Sequence, residues 1–172
     1  MNSPSNTSSS LHTISVLVRN QPGVLVRVAL IFARRGFNIE SLVVSADQVD
    51  SAFSRMTITC SGDGETLEQM IKQVQKLVDV VRAIDHTGQS NVEAEIALIK
   101  IKAPLSGRTE ILQVADHYQA KVMDCHAQSL TLRVTGSSEK LDSIISLLQP
   151  LDIVELVRSG KIIMTRGPES TT

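Results

Sequence analysis

The 172-residue sequence predicts an α+β protein in which one small unit is used twice. Three observations carry that prediction. Apolar residues switch between the period of a strand and the period of a helix in a fixed order. That order restarts after a polar linker, and hydrophobic residues, at 42% of the chain, are numerous enough to build cores.

Ile14, Val16 and Val18 alternate with Thr13, Ser15 and Arg19, the pattern of a half-buried strand. Arg19-Asn20-Gln21-Pro22-Gly23 then turns the chain, with Pro22 suited to the first position of a helix. Leu25, Val28 and Phe32 mark that helix's apolar face. Gly36 stops it where a positive φ is needed, and Arg34 and Arg35 complement its negative end. Residues 37–46 and 53–60 read as two strands around an Asp47–Asp50 turn. A break at Ser61-Gly62-Asp63-Gly64 precedes a helix with its stripe at Leu67, Met70, Ile71, Val74 and Leu77. Residues 78–84 are short and β-branched, a fourth strand.

Thr87 to Asn91 is polar and turn-rich, and the same order then begins again. Residues 94–102 form a strand and 104–107 a turn, and Ile111, Val114, Ala115 and Tyr118 mark a helix face. Residues 121–125 and 129–135 are strands. Ser137 is placed to cap a helix striped by Leu141, Ile144, Ile145 and Leu148, which Pro150 ends. Residues 153–157 close the unit, and 161–164 add a short edge strand. The organisation is therefore a disordered tail over 1–10, a first domain over 11–86, a linker over 87–93, a second domain over 94–167 and a tail over 168–172. Each domain is a βαββαβ, ferredoxin-like unit of about 75 residues. Right-handed crossovers put both helices on one sheet face and leave the other bare unless a partner covers it, and side-by-side dimerisation of such small units is expected.

Composition excludes several classes of function. Lys plus Arg number 17 against 18 Asp plus Glu, with eight of each sign between Leu11 and His86 and nine of each from Ala94 onward. Neither half has the basic excess that phosphate backbones demand. Aromatic residues are 2% of the chain, so there are few rings for stacking bases or sugars. No apolar run reaches the roughly 18 residues of a membrane span. The first ten residues lack the charge and the apolar stretch of a secretory signal, so the cytoplasm is the expected compartment. Cys60 and Cys125 sit in apolar, strand-like stretches and read as two buried, reduced thiols.

The informative stretch is Asn20 to Leu25 together with Asn38 and Ile39. A strand feeding a glycine turn into a helix leaves unpaired N–H groups converging on one spot, a geometry that binds a carboxylate. Gly23 lets a ligand approach the backbone. Amide side chains both donate and accept, so Asn20 and Asn38 suit the two charges of a zwitterion. Helix capping by Asn20 and turn formation by Asn38 are the commoner uses of these residues. Gly62-Asp63-Gly64 with downstream Asn91 mimics a thiamine-diphosphate/Mg²⁺ motif, but so short a pattern recurs by chance and the chain is too short for that cofactor's site. His117, Cys125 and His126 could converge in the second unit, yet they lack a paired ligand spacing, and no metal site is expected. No Ser/His/Asp, Cys/His or paired-carboxylate constellation is visible, so no catalytic residue is expected.

At these residues a resemblance becomes specific. Asn20-Gln21-Pro22-Gly23-Val24-Leu25, Arg27-Val28-Ala29 and Phe32 through Gly36-Phe37-Asn38-Ile39-Glu40-Ser41-Leu42 resemble the ACT domain of acetolactate (acetohydroxyacid) synthase small subunits. The likeness runs on through Ser54 to Ile58, Leu67 to Gln69, Glu95 to Lys100 and Glu155 to Lys161, so it spans nearly the whole chain. It implies an N-terminal ACT domain, a C-terminal domain of similar topology, and a regulatory rather than catalytic role. It further implies that valine, or another branched-chain amino acid, binds where two ACT domains meet in a homodimer. One chain would supply Asn20, Gly23, Val24 and Leu25, and the other Asn38 and Ile39. The implied partner is a large catalytic subunit carrying thiamine diphosphate, Mg²⁺ and FAD, activated by this chain and made inhibitable by end product. Val26 and Leu30 stand where relatives often have smaller residues. The alternative, a metal- or amino-acid-responsive transcriptional regulator on the same fold, would need a basic DNA-binding element that the balanced charge does not supply.

Overall fold

The computed structural model describes residues 10–171. The tail expected over 1–10 lies outside them except for Ser10, which opens the first strand. The elements are β1 (Ser10–Arg19), α1 (Val24–Arg34), β2 (Asn38–Ala46), β3 (Phe53–Gly62), α2 (Gly64–Gln75) and β4 (Val80–Asp85). They are followed by β5 (Asn91–Lys102), α3 (Arg108–His117), β6 (Lys121–His126), β7 (Ser129–Gly136), α4 (Ser138–Leu148), β8 (Ile153–Arg158) and β9 (Ile162–Thr165). Two antiparallel sheets result, ordered β2-β3-β1-β4 and β6-β7-β5-β8, with β9 pairing β5. Both halves thus have the expected βαββαβ order. The chain forms two compact units, one running up to Val92 and resuming at Ile163, the other Glu93–Ile162. No helix among the described residues is long and apolar enough to cross a membrane.

In the first unit, Ile14, Val16 and Val18 of β1 and Met56, Ile58 and Cys60 of β3 face the helices. Helix α1 answers with Val24, Val28 and Phe32, and α2 with Leu67, Met70 and Val74. Two expectations about α1 need correction. Pro22 is not its first residue, because Gly23 adopts φ +83, a left-handed conformation outside the helix, so α1 begins at Val24. The buried face is consequently set by Val24, and Leu25 points outward with 41% exposure. Gly36, at φ +74, ends α1 as expected: the Phe37 N–H reaches the Phe32 carbonyl at 3.0 Å and the Gly36 N–H reaches that of Ala33 at 3.2 Å.

Strand β2 contains a feature that alternation alone does not show. Its pairing with β3 slips between Ile39 and Ser41, so Glu40 is an extra residue. The bulge resets the parity of the strand, letting Ile39 as well as Leu42 pack on the core.

The two cysteines differ. Cys60 is buried, and loss of solvent, with the charges of Asp85 and Glu40 adding to it, pushes its thiol up to about 12. Cys125 is exposed rather than buried, because every residue of the edge strand β6 is exposed. Neither is in a disulfide. The outer face of the first sheet, expected to be bare unless a partner covers it, is covered in part by the chain's own C-terminal residues. Ser15, Thr57 and Thr59 are buried there, and Thr171, in the stretch expected to be a tail, bonds Ser15.

The second unit encloses Ala97, Ile99 and Ile101 of β5 and Leu130, Leu132 and Val134 of β7 beneath α3 and α4. Its β5 starts at Asn91, inside the stretch expected to be linker. Ser137 caps α4, its Oγ accepting the Lys140 N–H at 3.3 Å. Glu95, only 5% exposed, accepts from Arg158 Nε at 2.8 Å and Nη2 at 2.7 Å and from Ser138 Oγ at 3.0 Å. Arg158 also pairs with Asp142, so β5, β8 and α4 are tied by one guanidinium.

Two stability measurements follow from this packing. A Cβ at Gly62 would overlap the Phe37 ring, which stacks edge-on to Phe32. Gly62→Ala is expected to cost about 1–3 kcal/mol by forcing the ring aside, measured by denaturant unfolding, and an unchanged midpoint would refute that packing. The hydrogen bonds from Arg158, opposed by burial and helped by Ser138, hold the Glu95 carboxyl below the usual carboxylate range. That stabilisation is fully present above the unfolded pKa of about 4.3 and is lost as pH falls through the depressed folded value. Glu95→Gln should therefore cost about 2–3 kcal/mol near neutrality, with the gap to the unsubstituted chain narrowing as pH drops below about 4. A gap independent of pH would disprove the assignment.

Candidate functional site

The turn between β1 and α1 is held from several sides. The Arg19 N–H donates to the Asp79 carbonyl at 2.8 Å, and the Asn20 N–H to that of Ala52 at 2.7 Å. The Asn20 side chain does not cap the helix, since its Nδ2 donates to the Ser51 carbonyl at 3.2 Å. Its Oδ1 is then directed by an amide already anchored at the other end. The bond from the Arg27 N–H to the Gly23 carbonyl, 3.1 Å, opens the α1 ladder. The N–H groups of Leu25 and Val26 precede that bond, and no side chain caps the helix. A Cβ on Gly23 would lie 3.2 Å from Arg27 Nη1, whose guanidinium is bound to Asp79, so both φ and space call for glycine there.

Beside this turn is an open cavity of about 100 Å³. Asn20 and Gln21 give it a polar rim, and Val24, Leu25, Val44 and Met56 an apolar wall. A small molecule with one charged and one aliphatic end matches that division. Val44, Ser54 and Met56 were not singled out from the sequence. Ser54 and Met56 are set beside Asn20 by the β1–β3 ladder, where they pair with Val18 and Val16, and Val44 by the β2–β3 register, which the Asp47 turn and the Glu40 bulge set together.

Asn38 and Ile39 are elsewhere. Asn38 pairs with Ser61 and Ile39 with Cys60, at the end of β3 remote from Phe53, where Asn20 is anchored. Eight residues of strand, roughly 26 Å, separate the two ends. Asn38 begins β2 instead of filling a turn, and it is exposed. Its Nδ2 donates to Glu40 Oε1 at 2.7 Å, and the Ser61 hydroxyl donates to the same oxygen at 2.6 Å. The Ser61 bond first, and then that from Asn38, hold the Glu40 carboxyl below its ordinary range. A single chain therefore brings Asn20, Gly23, Val24 and Leu25 together but not Asn38 and Ile39.

Among the described residues no strand lies beside the outer edge of β2, which ends the sheet. Leu25 of α1 and Val44 of β2 line the same cavity and are exposed, and Val26 and Leu30 of α1 are exposed as well. The bulk at Val26 and Leu30 is on the surface and does not disturb the core.

The remaining candidates are occupied structurally. Asp63 caps α2, its carboxylate accepting the Glu65 N–H at 3.3 Å, and Asn91 donates to the Gln89 carbonyl. His117 packs on the Tyr118 ring, 5.1 Å between centroids. Among the described residues no three His, Cys, Asp or Glu side chains are grouped to hold a metal.

Comparison with known proteins gives a consistent answer for both units. Residues 14–82 match the family model described as the AHAS small subunit-like ACT domain, and residues 94–167 match that of the small subunit of acetolactate synthase. The acetolactate synthase small subunit of Mycobacterium bovis is 42% identical over 161 residues, covering 94% of this chain and 95% of that protein. A probable acetolactate synthase small subunit of Archaeoglobus fulgidus is 45% identical, covering 91% and 97%. The crystal structure of the small subunit from Thermotoga maritima superposes with a TM-score of 0.81 at 36% identity, covering 93% of this chain and 99% of that one. The chain belongs to the family of acetolactate synthase small, regulatory subunits, with an ACT domain as its first unit.

Proposed function

We propose that this chain binds valine between two copies of itself and passes that signal to a large catalytic subunit, performing no chemistry of its own. The observation that carries the reading is the separation of Asn20 from Asn38 along a sheet whose β2 edge is free. Antiparallel pairing of two β2 edges sets the first residue of one strand beside the last of the other. Asn38 and Ile39 of a second copy would then approach Ala46, which pairs with Ser54 at the cavity's wall. The free N–H groups of Leu25 and Val26 would receive the carboxylate, and Asn20 and the second copy's Asn38 would divide the remaining polar contacts. Val24, Leu25, Val44 and Ile39 would enclose the aliphatic side chain. Thiamine diphosphate, Mg²⁺ and FAD belong, in this reading, to the catalytic partner, whose rate this chain raises and whose inhibition by end product it confers.

Calorimetric titration with valine, leucine and isoleucine tests the site. Asn20→Ala and Asn38→Ala should each weaken valine binding about tenfold or more, the scale of a hydrogen bond to a charged group. Mixed dimers of the two variants should recover one full-affinity site per dimer, because one of the two sites keeps both its Asn20 and its Asn38 while the other loses both. No recovery on mixing would eliminate the cross-chain arrangement. Assay of the catalytic subunit with and without this chain, at zero and saturating valine, tests the rest; an unaltered rate and response would end the proposal.

The seam has its own test. Val44→Lys places a charge on the apolar edge and is expected to shift the chain from dimer to monomer in light scattering, with loss of valine binding. A monomeric unsubstituted chain, or a variant that remains dimeric and binds normally, would argue against a β2 seam.

A further inference from the structure

Within the first unit, a segment that precedes the second unit in the chain and one that follows it meet at one buried hydroxyl, that of Ser15. On the outgoing side, the His86 N–H donates to the Thr13 carbonyl at 2.8 Å, and His86 Nε2 lies 2.7 Å from Ser15 Oγ. On the returning side, residues from Ile163 onward rejoin the first unit. There the Thr165 N–H donates to Thr171 Oγ1 at 3.0 Å and the Thr165 hydroxyl to the Glu169 carbonyl at 3.0 Å, closing a loop. Ser15 Oγ donates its proton to the Thr171 carbonyl at 3.1 Å. A hydroxyl has one proton to give, so in this arrangement His86 Nε2 is the donor to the Ser15 oxygen. His86 Nδ1 is buried without a hydrogen-bond partner. Ser15, His86 and Thr171 are respectively 0%, 3% and 3% exposed, so the junction is shielded from water that could replace its bonds.

Ser15 lies on β1, the strand that runs into the Asn20–Gly23 turn. A displacement of β1 on ligand binding would reach both His86 and Thr171 through the same oxygen. We infer that the Ser15–His86–Thr171 junction is the coupling point that conveys occupancy of the ligand turn to the second unit. The inference rests on the proposed ligand site but assigns residues outside it.

The test uses the full chain with its catalytic partner and valine as the probe. Ser15→Ala, and a chain ending at Gly167, should still bind valine within about tenfold of the unsubstituted chain and still raise the partner's rate. Saturating valine should no longer inhibit that rate. Full inhibition retained in both variants would overturn the inference, as would loss of valine binding along with inhibition. Hydrogen exchange on the unsubstituted chain tests the same point without a variant: valine should change exchange at the Thr165 amide by about threefold or more. Valine binding with unaltered exchange there overturns the coupling alone, whereas a chain that binds no valine overturns the ligand site and the coupling together.

Discussion

The antiparallel ladder between β1 and β3 is the constraint from which the rest of the first unit follows. It runs without slip from Ser10 opposite Gly62 to Arg19 opposite Phe53. Because β1 is central, its end fixes where the Asn20–Gly23 turn emerges, and because β3 is shared with β2, its other end fixes Asn38. The two asparagines are thus held at opposite ends of a rigid sheet. Backbone hydrogen bonds along ten residues make that separation far costlier to change than any side-chain rotamer. Any ligand that needs both must be met by two molecules.

A ligand site divided between copies has thermodynamic consequences. Occupancy favours the paired form and pairing raises affinity, by the same factor. Regulation of a catalytic partner requires one thing more, namely that valine bind two states of the assembly unequally. In the proposed reading the first unit would feel that difference through β1, which the turn that would hold the carboxylate continues directly. The polar groups Ser15, His86 and Thr171 on the other face of β1 are enclosed and bonded through the Ser15 hydroxyl, so water does not compete for those bonds.

The two units solve the problem of a small core in the same way but lock it differently. With aromatic residues at 2% of the chain, both cores are aliphatic, and neither has a large ring at its centre apart from Phe32 and Phe37 in the first. Aliphatic cores pack densely but specify orientation weakly. Orientation in the first unit comes from the Phe32–Phe37 contact against Gly62, a site where only hydrogen fits. In the second it comes from Arg158, which binds Glu95 and Asp142 on different elements.

The sequence by itself determined the element order, the two repeats, the stop at Gly36 and the cap at Ser137, because each rests on interactions within a few residues. It also identified the turn from Asn20 to Leu25 and the pair Asn38–Ile39 as the places to look, through their likeness to a family. Tertiary structure alone decided the exposure of Cys125, which depends on β6 being an edge. It alone decided the outward turn of Leu25 and the start of α1, which follow from the left-handed backbone at Gly23. The same holds for the Glu40 bulge, the inclusion of Val44 and Met56 in the cavity wall, and the burial of Thr171 against Ser15. Apart from the local backbone at Gly23, each of these joins residues distant in the chain, and a periodic pattern records which face a residue takes but not which strand, or which returning segment, lies across from it.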